Sequence, residues 1–307
     1  MEYILKILIY LILFLLVFLT IAFFTLLEEK VLCSIHACKG PIYVGYIGIF
    51  QSFAYALKLS SYIFTNRKYK NLVLYIIRPF FSLILSVFMW VFCPFTRLIF
   101  NIDKRILYLI IIIGIRVFPI LIRGWGSNNK YTIIGSLRRV SQIISYEVSL
   151  GFILLYFIFL LKGLSLLNIY SNLGFLGVFI NMPLFYITYA SLLAETSRRP
   201  FDFTERASEL VCGFHTEYGG LNFTVLFISE YISIIFIRTL IVLIFMNIRF
   251  FLFGTLISFF CFLFIWARGT IIRFRYDLMI ILNWKVFLPQ IIYLYSYVVC
   301  SRFLIFF

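Results

Sequence analysis

The amino-acid sequence predicts an all-α integral membrane protein with about eight transmembrane helices. Three observations carry that prediction. The 307 residues are 64% hydrophobic and only 13% charged, against about 45–50% apolar and about 25% charged in soluble domains. The apolar residues fall in long uncharged blocks instead of at amphipathic spacing. The first block, Ile7–Leu27, rises about 31 Å as a helix, enough to cross the hydrocarbon of a bilayer.

The blocks set the order of elements in a single membrane domain, 1–307. Candidate spans cover 4–27, 74–96, 106–123, 140–162, 174–194, 221–248, 250–267 and 286–306. The fifth begins after the turn-like run Asn168-Ile-Tyr-Ser-Asn-Leu-Gly174. The last is the weakest, since only Val286–Ser301 is free of charge. Polar connections at 28–73, 124–139, 195–220 and 268–285 alternate with short loops. Seventeen of the 27 Lys and Arg fall in or at the edges of these four connections, against seven on the other side. The positive-inside rule then places the four on the cytoplasmic side or its organellar equivalent, with the N-terminus outside. Arg78, Arg116 and Arg238 remain near or within spans, and Arg116 and Arg238 are expected to pair inside the protein.

Several classes are excluded. The net charge of +15 would suggest nucleic acid in a soluble protein, but here the cations flank membrane spans. The six cysteines make no CxxC pair and no metal-ligand spacing with histidine. No glycine-rich dinucleotide fingerprint is present, so neither flavin nor iron–sulfur cluster is expected on this chain. The abundance of Phe (39) and Tyr (21) fits an A/T-rich genome such as an organelle's. No cleavable targeting peptide is expected, because the first apolar run is too long for a signal core.

Acids inside the apolar blocks are the candidate functional residues. Glu147 heads the fourth span, and Glu230 lies about 15 Å into the sixth, close to mid-bilayer. A carboxyl there costs about 2.5–3.5 kcal/mol on insertion scales, so it should face protein or water and serve a function. The densest constellation runs from Glu195 to Glu217. Asp202, Glu205 and Glu209, spaced three and then four, share one face of a helix. Asp202 after Pro200 suits a helix start. Glu205 and Glu209 suit either that helical face or proton handling, since grouped carboxylates in a dry groove cannot all stay ionised.

At these residues a resemblance emerges. Glu195-Thr-Ser-Arg-Arg-Pro-Phe-Asp202, Gly213-Phe-His-Thr-Glu-Tyr218 and Ser229-Glu-Tyr231 resemble subunit 1 of respiratory NADH:ubiquinone oxidoreductase (complex I). So do Lys39-Gly-Pro41, Gln51–Leu59, Gly124–Tyr131, Arg273-Phe-Arg-Tyr-Asp277 and Trp284–Pro289, in the same order. The resemblance covers roughly 20–290. It implies a tilted helical bundle that forms a ubiquinone chamber with the hydrophilic arm. It also implies a buried acidic path coupling quinone reduction to proton translocation.

The same likeness assigns residues. Glu147, Glu195, Glu205, Glu209 and Glu230 would form the proton path. Gln51–Leu59, with Phe53, Tyr55 and Lys58, would be an interfacial amphipathic helix beside the quinone entrance. Lys39, Phe214, Glu217, Arg273, Arg275 and Asp277 would face the chamber or the arm. Ubiquinone would be the substrate. The partners would be the quinone-site and terminal iron–sulfur subunits of the arm, neighbouring membrane subunits and lipids, in the mitochondrial inner membrane. The chain departs from the family pattern at Cys38 and Glu29, where Arg is usual, at Tyr55, where Asp is usual, and at Ala207, where an acid is usual. The competing class is a stand-alone proton-coupled secondary transporter, but no repeated halves with paired broken helices are visible.

Overall fold

The computed structural model describes residues 2–62, 72–93, 104–161, 181–202, 218–246 and 250–306, and among them there is no strand. Helix α1 (Glu2–Ile35) carries its apolar run past the bilayer thickness, at about 51 Å for its length. It stops where Ala37 turns left-handed and the Cys38 N–H donates to the Cys33 carbonyl at 2.8 Å, a common helix terminator. After a 3₁₀ turn at Tyr46–Gly48 comes the short helix α2 (Gln51–Ser61). It has no fully buried residue and lies on α1 and on α8 (Gly220–Phe245).

Helix α3 (Leu72–Val91) carries Pro79 in its interior. The next apolar block is broken at Arg116 into α4 (Arg105–Ile115) and α5 (Val117–Ser127). Pro119 has no N–H to bond back to the Ile115 carbonyl, which explains the break. Helix α6 begins already at Lys130 and runs to Leu161. Arg138 and Arg139 are therefore helical, and only Asn128 and Asn129 lie between α5 and α6, where the sequence reading expects a polar connection over 124–139. Polar side chains that face protein read like loop residues when only hydropathy is followed.

Helix α7 (Met182–Glu195) precedes α8, and α9 (Phe250–Thr270) follows it. Helix α10 (Tyr276–Leu282) passes through a π-helical turn at Asn283–Phe287 into α11 (Leu288–Phe306). Asn283, fully buried in that turn, donates to the Ser145 carbonyl of α6 at 2.6 Å. Seven stretches of described helix are long and apolar enough to cross a bilayer. The 14 described residues of α7 are too few, and the earlier part of its expected span lies outside the described residues.

Helix α8 is the centre of the bundle, against α1, α2, α3, α7 and α9. Every residue from Tyr231 to Phe245 is buried, as expected of a helix that is apolar on nearly every side, with Arg238 its one charge in that stretch. Helix α1 shows the reverse: Ile7, Leu11, Leu15 and Phe23 face outward. An apolar outer surface around a core with buried Arg, Glu and Gln inverts the soluble pattern and suits lipid.

Candidate functional site

Glu195 is the last residue of α7 and is 2% exposed. A carboxylate at a helix C-terminus meets the negative end of the helix dipole, so a nearby cation is needed. Arg116 supplies it: its Nη1 lies 3.5 Å from Glu195 Oε1. The break between α4 and α5 thus has a consequence, for it sets Arg116 beside the end of α7.

The α7 terminus is fixed from the other side by Gln142 of α6. Its fully buried side-chain amide donates to the Ala194 carbonyl at 2.8 Å and to the Phe201 carbonyl at 3.1 Å. The chain after Glu195 is also tied to the segment before α10. The Phe274 N–H donates to the Pro200 carbonyl at 3.1 Å, and the Phe201 and Phe274 rings stack at 5.6 Å.

Glu147 lies mid-way along α6, facing α4. A β-carbon on Gly114 would sit 2.7 Å from Glu147 Oε1, so only glycine leaves room for that carboxylate. Gly114 is two residues before Arg116, so the Glu147 carboxylate meets α4 close to the Arg116–Glu195 pair. Glu230 of α8 has its Oε1 3.9 Å from Nη1 of the fully buried Arg123 on α5. The two acids that the sequence places inside apolar blocks, Glu147 and Glu230, thus lie with Glu195 where α4, α5, α6, α7 and α8 meet.

Glu230, Arg78, Arg116 and Arg139, with Ser82 and Ser229, wall a cavity of about 40 Å³. That space suits a few waters. Arg78 donates through Nε to the Pro119 carbonyl at 2.5 Å. Its guanidinium and that of Arg123 each lie 5.3 Å from the Tyr218 ring, which stacks on Tyr75 at 4.3 Å. Aromatic faces accept cations well, so the tyrosine pair helps hold two like charges within one apolar bundle. Chemically, the arrangement offers carboxylates that can take or give protons, guanidiniums that stabilise the ionised form, and room for water between them.

The remaining predicted residues lie elsewhere. Lys39, Gln51, Phe53, Tyr55 and Lys58 are on α2 and the segment before it, with Lys39, Phe53, Tyr55 and Lys58 exposed. Arg273 pairs with Asp202 at 3.6 Å; the helix that the sequence expects to start at Asp202 lies outside the described residues. Arg275 and Asp277 pair with each other at 3.1 Å on the surface. Glu205, Glu209, Phe214 and Glu217 lie outside the described residues.

Sequence reasoning missed Gln142, Arg123, Arg139 and Tyr218 as members of the site. Arg116 was expected to pair inside the protein, and its ion pair is with Glu195. A lone cation in an apolar run was the available signal for Arg123, the same kind that singled out Glu230. Nothing in the sequence marks Gln142.

Against known proteins, the family described as NADH dehydrogenase matches residues 7–299. The chain is 41% identical over 296 residues to NADH-ubiquinone oxidoreductase chain 1 of Aedes aegypti, covering 94% of each. The proteins of that name from Anopheles gambiae and Locusta migratoria are 42% and 41% identical, over 91% of this chain and 90% of theirs.

Proposed function

The chain belongs to the NADH dehydrogenase family, and from that premise we propose that it couples quinone reduction to proton translocation within an NADH:ubiquinone oxidoreductase. In this reading it is a multi-pass subunit of the mitochondrial inner membrane and works only in the assembled complex. Its polar connections and α2 meet the hydrophilic arm and wall the quinone chamber with partner subunits. Ubiquinone is the substrate and enters beside α2, while Glu195, Glu147 and Glu230 begin the proton path.

The observation that carries the reading is a water-sized, arginine-lined cavity inside an apolar bundle, with Glu230 in its wall and Glu195 ion-paired to Arg116 of the same wall. Reducing a quinone by two electrons takes up two protons at the headgroup and changes the local field. Carboxylates in a low-dielectric interior respond strongly to such a change. The Arg116–Glu195 and Arg123–Glu230 contacts give each change in charge a partner that can rearrange. The cavity is sized for water, so the ring of a quinone belongs outside it, at the face shared with partner subunits.

Replacing Glu195 by Gln keeps the shape and removes the charge and the titration. In the assembled complex, NADH:quinone turnover should fall by roughly ten-fold or more, while NADH oxidation by ferricyanide stays intact. Unchanged proton-coupled turnover would refute the role of Glu195. A transporter acting alone finds no specific support in the geometry.

A further inference from the structure

Glu28 belongs to neither the acid cluster nor α2, yet it is 7% exposed and fully engaged. Its Oε1 is ion-paired with Arg268 of α9. Its Oε2 accepts a hydrogen bond from the Tyr231 hydroxyl of α8 at 2.6 Å. Tyr231 is buried in turn, with the Phe227 ring at 4.5 Å, the Phe24 ring at 5.7 Å and the Arg198 guanidinium 5.0 Å over its face. One carboxylate thus joins three helices, and one of its partners is the residue after Glu230.

Beside Arg268, Gly269 lets α9 and α1 touch. A β-carbon there would come within 2.7 Å of Ile35 Cδ1.

Two residues along α1 from Glu28, and so on another face of the helix, Lys30 reaches the opposite way. Its Nζ donates to the Ile47 carbonyl at 2.6 Å. Ile47 is β-branched and left-handed (φ 56), a strained conformation that persists only when its surroundings hold it. It sits in the Tyr46–Gly48 turn that leads into α2. The contacts therefore run from α8 and α9 through Glu28 into the end of α1, and from Lys30 through that turn to α2.

We propose that Glu28, Arg268 and Tyr231 form a three-helix clamp whose task is to position α2 for passage of the quinone tail, with Glu28 as a positioning residue. This rests on the reading above that the quinone passes beside α2. The clamp holds the angle at which α1 leaves the bundle, and α2 follows that angle. Loosening it should affect a substrate that must thread a long tail past α2 far more than one with a short tail.

The test uses the assembled complex in inner-membrane vesicles, with Glu28→Gln, Tyr231→Phe and the exchange Glu28→Arg with Arg268→Glu. Turnover is measured with a long-tailed and a short-tailed ubiquinone. Glu28→Gln should raise KM for the long-tailed quinone roughly five-fold, with kcat and the short-tailed KM changed less than about two-fold. Tyr231→Phe should act in the same direction and less, and the exchange should restore part of the loss. A merely structural weakening would lower kcat for both quinones together, and that result, or no change at all, overturns the clamp. If Glu28→Gln fails to assemble, Tyr231→Phe decides by the same criterion. Phe53→Ala on α2 separates the two levels: if it leaves tail length without effect, the passage is not at α2, and the proposal falls for that reason. If Phe53→Ala discriminates tails and the clamp variants do not, the clamp alone is wrong.

Discussion

Replacing Gln142 by Leu removes the two bonds that fix the end of α7 while keeping a buried side chain of similar size. The amide donates to the Ala194 and Phe201 carbonyls at 2.8 and 3.1 Å. The bond to Ala194 contributes about 0.5–1.5 kcal/mol net, since that carbonyl also accepts from the Ser197 N–H, and the Phe201 carbonyl, losing its Gln142 donor, costs about 1–3 kcal/mol. One term opposes this: Gln142 Oε1 is itself buried without a hydrogen bond among the described residues, and Leu removes that penalty. The net destabilisation of the clasped arrangement is then about 2 kcal/mol, roughly a thirty-fold shift toward arrangements in which Glu195 is free to move from Arg116.

The assay is steady-state NADH:ubiquinone turnover in inner-membrane vesicles, with ferricyanide reduction as the control for electron entry and native electrophoresis for assembly. Quinone turnover should fall by about three- to thirty-fold, with ferricyanide reduction and assembly retained. Gln142→Glu, which keeps the length but cannot donate when ionised, should be at least as damaging. Full quinone turnover in an assembled Gln142→Leu complex would refute the idea that the α7 terminus must be held for Glu195 to work.

Gly114→Ala should assemble, because the clashing atom is the free end of Glu147's side chain at 2.7 Å; coupled turnover should drop, and a structure should show the carboxylate displaced. Asp202→Asn should lower the thermal stability of the complex measurably, by up to about 1 kcal/mol for a partly buried ion pair. Asp277→Asn should be silent in that assay, since both members of its pair with Arg275 are largely exposed. Equal effects of the two would mean that burial does not set the strength of these pairs.

Long apolar helices were legible because lipid demands them, and the uncharged run Ile7–Leu27 of α1 shows it plainly. Boundaries were less so. Helix α6 starts ten residues before its expected span, since Thr132, Ser136 and Arg139 are buried against protein but look like a polar connection in one dimension. The last helix looked weak because its uncharged run is bounded by Lys285 and Arg302, yet Lys285 falls in the π-helical turn that joins α10 to α11 and Arg302 within α11 itself.

For the site, an acid amid apolar residues is costly in any fold and therefore visible, which is why Glu147 and Glu230 stood out. Partners were not visible. Arg116 reaches Glu195 across 79 positions and Glu28 reaches Arg268 across 240, and such pairings exist only once helices cross. Glu28 itself resembled one more loop acid, because it follows the apolar run of α1 and is buried only by α8 and α9.

The most direct measurement is a density map of the assembled complex with a quinone or a quinone-site inhibitor bound. Glu195 and Glu230 should be enclosed by protein, within reach of ordered water leading from the ligand's cavity. Either carboxylate pointing into lipid, or separated from that cavity by packed apolar side chains, would contradict their coupling to quinone reduction.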